Sequence, residues 1–135
     1  MKILIGFFLC FGAGSAFAQD YIVFHSPTGN IQCALYGGDY AGVRCDMAQL
    51  TPTYTTMPEG CEFDWGSSFG LDPNSRKGYL ACVSDVVADT AGLELGYGEE
   101  VTLAGITCQS EKTGLTCINP AGHGFTLSKA KQKLF

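Results

Sequence analysis

Apolar and polar residues alternate along short stretches of the chain, and this pattern predicts β-strands. The first predicted strand covers residues 20–24, the second covers 30–36, and a third returns over 41–46. Alternation with a period of two places the apolar side chains on one face of a strand. The segment Ser26-Pro27-Thr28-Gly29 has proline in its second position and glycine in its fourth, which predicts a type I turn between the first two strands.

The remainder of the chain shows the same pattern of short strands and turns. Further strands are predicted at residues 62–66, 79–87, 101–110, 115–119 and 124–128, with irregular connections at 47–58, 66–78 and 92–100. A helix is the alternative at 79–87, because Leu80, Val83 and Val87 also fit a helical stripe. Short strands separated by frequent turns predict an all-β fold, a small β-sandwich or barrel built from hairpins.

The composition of the 135-residue chain limits the class of protein. Hydrophobic residues make up 46% of the chain and charged residues 16%, which argues against intrinsic disorder because enough apolar surface is available for a core. The net charge of −5 excludes nucleic acid as the expected partner, since phosphate binding needs a clustered positive surface. Lys129, Lys131 and Lys133 would share one face of a terminal strand and give it a solvated edge.

The N-terminal residues 1–18 predict a secretory signal peptide. An apolar run at residues 3–13 follows a positive end, and Ala16 and Ala18 fit an A-x-A cleavage site. The apolar run is shorter than the roughly 20 residues that a membrane-spanning helix needs, and no basic stop-transfer segment follows it. We therefore expect a secreted or periplasmic protein with a single domain, residues 19–135, and no membrane span.

The cysteine count changes with this cleavage. Removing 18 residues leaves 117, with a net charge of −6 and six cysteines in place of seven. An even number of cysteines in a small exported protein is typical of disulfide bonds, and no CxxC motif points to zinc or redox chemistry. Paired cysteines also leave no thiolate for catalysis. The six residues are Cys33, Cys45, Cys61, Cys82, Cys108 and Cys117.

A sequence pattern that occurs twice in the chain indicates which cysteines pair. Ile31-Gln32-Cys33 is followed by Gly42-Val43-Arg44-Cys45, and Ile106-Thr107-Cys108 is followed by Gly114-Leu115-Thr116-Cys117. Both pairs of segments have the form of a β-hairpin, and directly opposed residues of a hairpin lie within disulfide distance. The predicted bonds are Cys33–Cys45, Cys61–Cys82 and Cys108–Cys117. Bonds that cross between the two hairpins are the alternative.

Two longer motifs carry a family resemblance. The chain has FHSPTGNIQC at residues 24–33 and GHGFTLSK at residues 122–129, together with VRCD, CEFDWG, YG and GLTC between them. These strings resemble an uncharacterised family of small exported bacterial proteins, a domain of unknown function built around F-x-S-P-S-G-N-I-x-C and G-H-G-F-x-L-S-[RK]. Thr28 stands where that family usually has serine, and Lys129 where it usually has arginine. The resemblance covers nearly all of the exported chain and implies no activity, so no catalytic residue is carried over.

The two histidines of the chain, His25 and His123, are candidates for chemistry. His123 lies between two glycines, and a flexible backbone there could expose an imidazole for acid–base catalysis. A structural role is favoured, with both glycines adopting the positive φ of a turn. A zinc site made by both histidines and an acid such as Asp64 lacks the usual ligand spacing. No metal and no cofactor are therefore expected.

Aromatic residues offer a second candidate surface. Trp65 and Tyr97, with Tyr54, Phe63 and Phe69, could form a sugar-binding face, but bulk in a small β-core is the favoured interpretation. Taking the histidine and aromatic candidates together, we assign the possible functional surface to His123, Trp65, Tyr97 and His25.

Two hypotheses for function follow. The first is a non-enzymatic binding or interaction module for an unknown protein or envelope ligand. In one version it inhibits wall-degrading enzymes, because an acidic body would steer basic lysozymes toward it. The second is a small hydrolase or metal-dependent enzyme that uses His123 with an acidic partner.

Overall fold

The structure is a computed structural model that describes residues 20–87 and 92–135. The predicted signal peptide lies outside these residues. Within them, a 3-10 turn at Gly38–Tyr40 accompanies eleven strands. The strands are β1 (Tyr21–His25), β2 (Ile31–Tyr36), β3 (Gly42–Met47), β4 (Ser68–Leu71), β5 (Tyr79–Leu80), β6 (Leu93–Glu94), β7 (Glu100–Leu103), β8 (Ile106–Glu111), β9 (Gly114–Ile118), β10 (Gly124–Leu127) and β11 (Gln132–Leu134).

These strands form two sheets. The first has the order β5-β4-β3-β2-β1-β6 and is antiparallel apart from β6, which runs parallel to β1. The second has the order β11-β10-β9-β8-β7 and is antiparallel throughout. Neither sheet closes into a barrel, and residues of both contribute to one hydrophobic core. The all-β prediction is confirmed, and the architecture is that of an open sandwich.

The core is built from alternate residues of the strands, as the sequence pattern predicts. In β2 the side chains of Ile31, Cys33 and Leu35 are buried in the core cluster. Across the sandwich, the ring of Phe69 lies 6.4 Å from that of Phe125, centroid to centroid, with the planes tilted by 48°. Each fully buried side chain of this kind contributes about 1.5–3 kcal/mol to folding. The hydrophobic effect therefore holds the two sheets face to face.

Two disulfides lie inside this core, one in each sheet. Cys33 of β2 lies directly opposite Cys45 of β3, and Cys108 of β8 lies directly opposite Cys117 of β9. The Cα–Cα distances are 4.1 and 4.0 Å, close to those of opposed residues at a non-hydrogen-bonded site. The disulfide pairing within each hairpin, predicted from the repeated sequence pattern, is confirmed for both hairpins.

The third disulfide, Cys61–Cys82, joins the loop before β4 to the segment after β5, as predicted. Beside it, Asp64 and Val83 form an isolated antiparallel bridge. The strand predicted at residues 62–66 is therefore wrong, since the disulfide and this bridge fix the segment without a continuous ladder.

A strand lies within the predicted loop at residues 66–78. β4 has glycine in its interior, and glycine weakens a strand because it has no side chain to pack. In the structure the Tyr79 ring covers Gly70, so that a Cβ on Gly70 would lie 2.4 Å from the ring. Tyrosine on the neighbouring strand supplies the packing surface that glycine lacks, and this makes the strand possible.

The single strand predicted at residues 101–110 is a hairpin, β7 and β8. Ala104 and Gly105 form its two-residue loop with φ of 52° and 82°. Positive φ at both positions is the geometry of a type I′ turn, whose usual sequence signal is Asn-Gly or Asp-Gly. Ala-Gly lacks that signal, which is why the sequence pattern predicted one long strand.

Smaller differences concern the connections and the tail. The strand predicted at residues 79–87 ends at Leu80, and the helical alternative there is wrong. A two-residue strand, β6, lies within the predicted turn at 92–100. Of the three tail lysines, Lys133 lies in the edge strand β11 and the other two precede it. In the described part of the chain, we find no helix with the length and apolar character needed to cross a membrane.

Candidate functional site

A cleft of about 550 Å³ opens at one end of the sandwich, and both family-like motifs reach it. We call it the motif cleft. It is lined by Ser26, Thr28, Gly29, Asn30, Ile31, Ala48, Gln49, Tyr97, Ser110, Glu111, Lys112, Gly114, Leu115, Ser128 and Lys129. The buried side chains of Ile31 and Leu115 belong to the core, so the cleft has an apolar floor and a largely polar rim.

The β1–β2 turn forms the first wall of the motif cleft. The Ser26 carbonyl accepts a hydrogen bond from the Gly29 amide at 2.9 Å, and the Ser26 hydroxyl accepts one from the Ile31 amide at 3.1 Å. The Thr28 hydroxyl accepts from the Asn30 amide at 3.3 Å. Gly29 has φ of 75°, which a side chain would disfavour. The S-P-T-G-N sequence therefore encodes a rigid turn.

Asn30 clamps this turn to the chain that follows β3. Its side-chain amide donates to the Gln49 carbonyl at 2.9 Å, and its side-chain oxygen accepts from the Gln49 amide at 2.8 Å. The Asn30 carbonyl also accepts from the Ala48 amide at 2.9 Å. Because asparagine satisfies both a donor and an acceptor here, the two segments are held in one relative position.

Residues that follow β10 form the opposite wall. The Ser128 amide donates to the Lys131 carbonyl at 2.9 Å, and the Lys129 carbonyl accepts from the Thr51 amide at 2.8 Å. Gln132 is almost fully buried; its side chain accepts from the Thr53 amide and donates to the Ser128 carbonyl, both at 3.0 Å. This glutamine fastens the long connection after β3 to the β10–β11 turn. The sequence pattern missed it, since it lies between solvated lysines.

A turn that is itself fixed at both ends presents Tyr97 to the cleft. The preceding Leu95 is buried, and its amide donates to the His25 carbonyl at 2.9 Å. The Gly98 amide donates to the Ser110 carbonyl at 2.7 Å. The Tyr97 side chain remains 47% exposed, so its ring is available at the rim.

Charge in the motif cleft differs from that of the whole protein. Lys112 and Lys129 both line it, against one acidic residue, Glu111. Thirteen acidic residues outnumber eight basic ones over the chain. In the part of the chain that the structure describes, the ion pairs involve Arg44, so neither lysine is neutralised by a salt bridge. The cleft is thus locally positive within an acidic protein.

Of the four residues predicted for the functional surface, the structure places Tyr97 in the lining of the motif cleft and the other three outside that lining. Tyr97 lines the motif cleft, whereas Trp65 is half-buried in the loop next to the Cys61–Cys82 disulfide. The ring of His25 lies 2.8 Å from the neighbouring Ser26 carbonyl, measured from Nδ1. The proposed aromatic face is also dispersed, because Phe69 is in the core and Tyr54 accepts a hydrogen bond from the Leu134 amide.

His123 lies at the opposite end of β10 from the motif cleft. The Asn119 side-chain oxygen accepts from the His123 amide at 3.0 Å, and the His123 carbonyl accepts from the Asn119 amide at 2.9 Å. Gly122 has φ of 83°, as the turn prediction required. The same prediction is wrong for Gly124, whose φ is not positive and which allows a close approach of backbones.

The described residues place no acidic side chain in an ion pair with either histidine. They also contain no group of three His, Cys, Asp or Glu side chains spaced to hold a metal ion. The acid–base hypothesis for His123 consequently gains no partner from the geometry.

A second groove, of about 320 Å³, lies on the outer face of the first sheet beneath residues 85–87. Arg44 of β3 donates from Nε and Nη2 to the two carboxylate oxygens of Asp46, both at 3.0 Å, and from Nη1 to Asp85 at 2.8 Å. The Val87 amide donates to Asp46 at 2.6 Å. These contacts strap the segment onto the sheet.

The charges of the strap affect one another. Burial acts to lower the pKa of Arg44, but the hydrogen bonds to Asp46 and Asp85 outweigh it and the pKa is raised. The hydrogen bond from Arg44, followed by its charge, lowers the pKa of Asp85. The strap is therefore held fully at neutral pH and weakens as the pH falls below the ordinary aspartate pKa of 3.8.

We expect Asp85→Asn to loosen this strap while leaving the sandwich intact. Asp85 is exposed, so its pair with Arg44 contributes little to global stability. The variant keeps the bonds from Arg44 to the carbonyl of residue 85 and from the Val87 amide to Asp46, but it loses the charge pair that helps to hold the segment down. Hydrogen exchange should show faster exchange at Val87 and unchanged protection of the core strands. Wild-type protein should show the same local loss of protection on acidification below the ordinary aspartate pKa, when exchange at Val87 is compared with the intrinsic exchange rate at each pH.

Asp39→Asn is the matched control. Asp39 lies in the exposed 3-10 turn, and replacing it with asparagine changes the net charge by the same amount. Equal exchange at Val87 in the two variants would show that the Arg44–Asp85 pair does not hold the strap.

Comparison with known proteins identifies a family. A family model described as "Family of unknown function (DUF6636)" matches residues 3–135. Because this is nearly the whole chain, the protein belongs to that family, and the resemblance to an uncharacterised domain is confirmed at that level. Neither a curated protein nor a solved structure matches the chain.

Proposed function

We propose that this DUF6636 protein is a non-enzymatic binding module, exported from the cell, that takes a ligand into the motif cleft. The observation that carries the proposal is the convergence of the two motif segments, from opposite ends of the described chain, on one cleft. Their polar groups fix the walls through Asn30 and Ser26. A cleft whose walls are fixed in advance loses little conformational entropy when a ligand binds.

The size and lining of the cleft support a ligand of small-molecule dimensions. Ligand sites usually enclose about 300–1,000 Å³ and combine apolar surface with a few directed polar groups. The motif cleft, at about 550 Å³ with an apolar floor and polar rim, falls within that range.

Export is the second part of the proposal. Three disulfides, two of them between fully buried cysteines, are compatible with a protein of the cell exterior or periplasm. The predicted signal peptide at residues 1–18 supplies the route.

The inhibitor version of the proposal receives less support. A stable protein–protein interface buries about 800 Å² on each partner, and its energetic centre is a set of buried aromatic or arginine anchors. The motif cleft offers a single half-exposed aromatic residue, Tyr97, among polar side chains. A small ligand or the end of a polymer fits this surface better than a wall-degrading enzyme does.

Ala48→Trp should abolish ligand binding. Ala48 is exposed and lines the cleft, so an indole there occupies the ligand volume without removing a hydrogen-bonding side chain. Soluble fragments released from bacterial envelopes by digestion are added to the purified protein, and its Tm is measured. A ligand present at 100 times its Kd raises the free energy of unfolding by about 2.7 kcal/mol, which corresponds to several degrees in Tm. The wild type should show this rise, and the variant should not.

Ala121→Trp is the control, because it places the same ring on an exposed alanine at the other end of β10. It should respond to the fragments as the wild type does. An unchanged response in Ala48→Trp would rule out the motif cleft as the site, and no response in the wild type would count against an envelope ligand.

A further inference from the structure

We propose that the ligand of the motif cleft is a carboxylated oligosaccharide, bound at its carboxylate by Lys112 and Lys129 and at a sugar face by Tyr97. The inference rests on the proposed binding function and adds the chemical class of the ligand. It is argued from charge, from the engagement of the backbone donors and from the types of side chain at the rim.

The charge of the cleft calls for an anion. The two lysines come from separate turns, one between β8 and β9 and one after β10, yet both line the same cleft. Neither is in an ion pair among the described residues. Two lysines against the single carboxylate of Glu111 leave a net positive charge among the described lining residues, which an anionic ligand would neutralise.

The first wall lacks the free backbone amides that a phosphate site commonly uses. Phosphate sites in proteins commonly use free backbone amides or the planar fork of arginine. In the first wall, the amides of residues 29, 30, 31, 48 and 49 all donate within the protein. Among the described residues that line the cleft, none is an arginine. Lysine ammonium groups are therefore the charged donors available, and they contact a carboxylate as point charges.

The rim favours a sugar over a peptide. The Ser26 and Thr28 hydroxyls each accept a hydrogen bond from a backbone amide and keep further hydrogen-bonding capacity, and the Gln49 side-chain amide can both donate and accept, as sugar hydroxyls do. The half-exposed ring of Tyr97 adds an apolar face beside a polar hydroxyl. A peptide needs backbone donors and acceptors from its host, and the amides of the first wall are already used.

The test compares trigalacturonic acid with its fully methyl-esterified form, which has the same sugar rings but no charge. Isothermal titration at low salt should give a Kd for the acid at least about tenfold lower than for the ester, since charge-assisted hydrogen bonds are lost in the ester. Raising the salt concentration should weaken binding of the acid and leave that of the ester unchanged.

Lys129→Ala and Lys112→Ala should each raise the Kd of the acid about tenfold or more, and leave that of the ester within about threefold. Lys131→Ala is the matched control. Lys131 lies two residues after Lys129 and carries the same charge, but its side chain is outside the cleft lining. It should change the Kd less than threefold, and all three variants should keep the wild-type Tm because their side chains are exposed.

Several outcomes would overturn the inference. Equal binding of acid and ester, tighter binding of triglutamate than of trigalacturonic acid, or no binding of either saccharide would each contradict the assigned class. If envelope fragments still raise the Tm of the wild type and not that of Ala48→Trp, the proposed binding function stands and only the assigned ligand class is wrong. If they also have no effect, both proposals fall together.

Discussion

Gly124→Ala is expected to be among the most destabilising single substitutions in the sandwich. A Cβ at this position would lie 1.8 Å from the Cys117 carbonyl oxygen, and the obstacle is backbone within the central ladder between β9 and β10. The Gly124 carbonyl also lies 2.3 Å from where a Cβ of Gly78 would be. Hydrogen bonds to Phe135 hold the Gly124 and Gly78 backbones, and the β9–β10 ladder holds the Cys117 backbone, so we expect a loss of about 3–5 kcal/mol. A small domain has about 5–15 kcal/mol in total.

Urea denaturation, with circular dichroism at zero denaturant, measures this loss. Gly37→Ala is the matched control: its Cβ would meet nothing closer than 3.6 Å, and its φ is −106°. That variant should stay within about 1 kcal/mol of the wild type and could gain stability through its stiffer unfolded chain. If the two variants unfold at the same urea concentration, the β9–β10 ladder tolerates a Cβ at Gly124.

The Gly-His-Gly segment acquires a physical explanation from this contrast. Gly122 supplies the positive φ of the turn, and Gly124 allows three backbones to meet. His123 is held between them by the Asn119 side chain. The glycines therefore serve the fold at this end of β10, while the motif cleft forms at the other end of the same strand.

The parts of the fold that the sequence predicts are those with local signals. In the hairpins of β2–β3 and β8–β9, the alternating apolar residues and the opposed cysteines specify the same register, so strands and disulfides follow together. A one-residue slip of one strand would put the two cysteines of a hairpin on opposite faces of the sheet. Agreement between two independent local signals made the prediction robust.

The parts that the sequence pattern misses depend on partners far along the chain. Tyr79 covers Gly70 of β4 from the neighbouring strand, and Gln132 fastens one wall of the motif cleft through Thr53. The residues next to Gly70 and Gln132 in the sequence give no sign of these contacts, because a strand glycine and a glutamine between two lysines usually pack against nothing distant. The same holds for the cleft itself, since only the folded sandwich brings Asn30 and Lys129 to one end.

Cys108→Ala together with Cys117→Ala is expected to cost about 3–5 kcal/mol of stability, more than the pair Cys61→Ala and Cys82→Ala. Loop entropy alone predicts the reverse, because the sequence separation is 9 for the first pair and 21 for the second, a difference of about 0.7 kcal/mol. Burial decides between the two effects. Cys108 and Cys117 are fully buried, and each lost sulfur leaves a cavity that costs about 1 kcal/mol.

Cys61 and Cys82 have no such cavity term, because Cys82 is exposed and Cys61 is half-buried. Parallel urea denaturation of the two double variants measures the difference in the free energy of unfolding. A larger loss for the Cys61–Cys82 pair would mean that loop closure outweighs core filling. The expected order instead makes the buried disulfide part of the core that carries β9 and β10. The ends of these strands shape the motif cleft, so losing that bond should weaken ligand binding as well as stability.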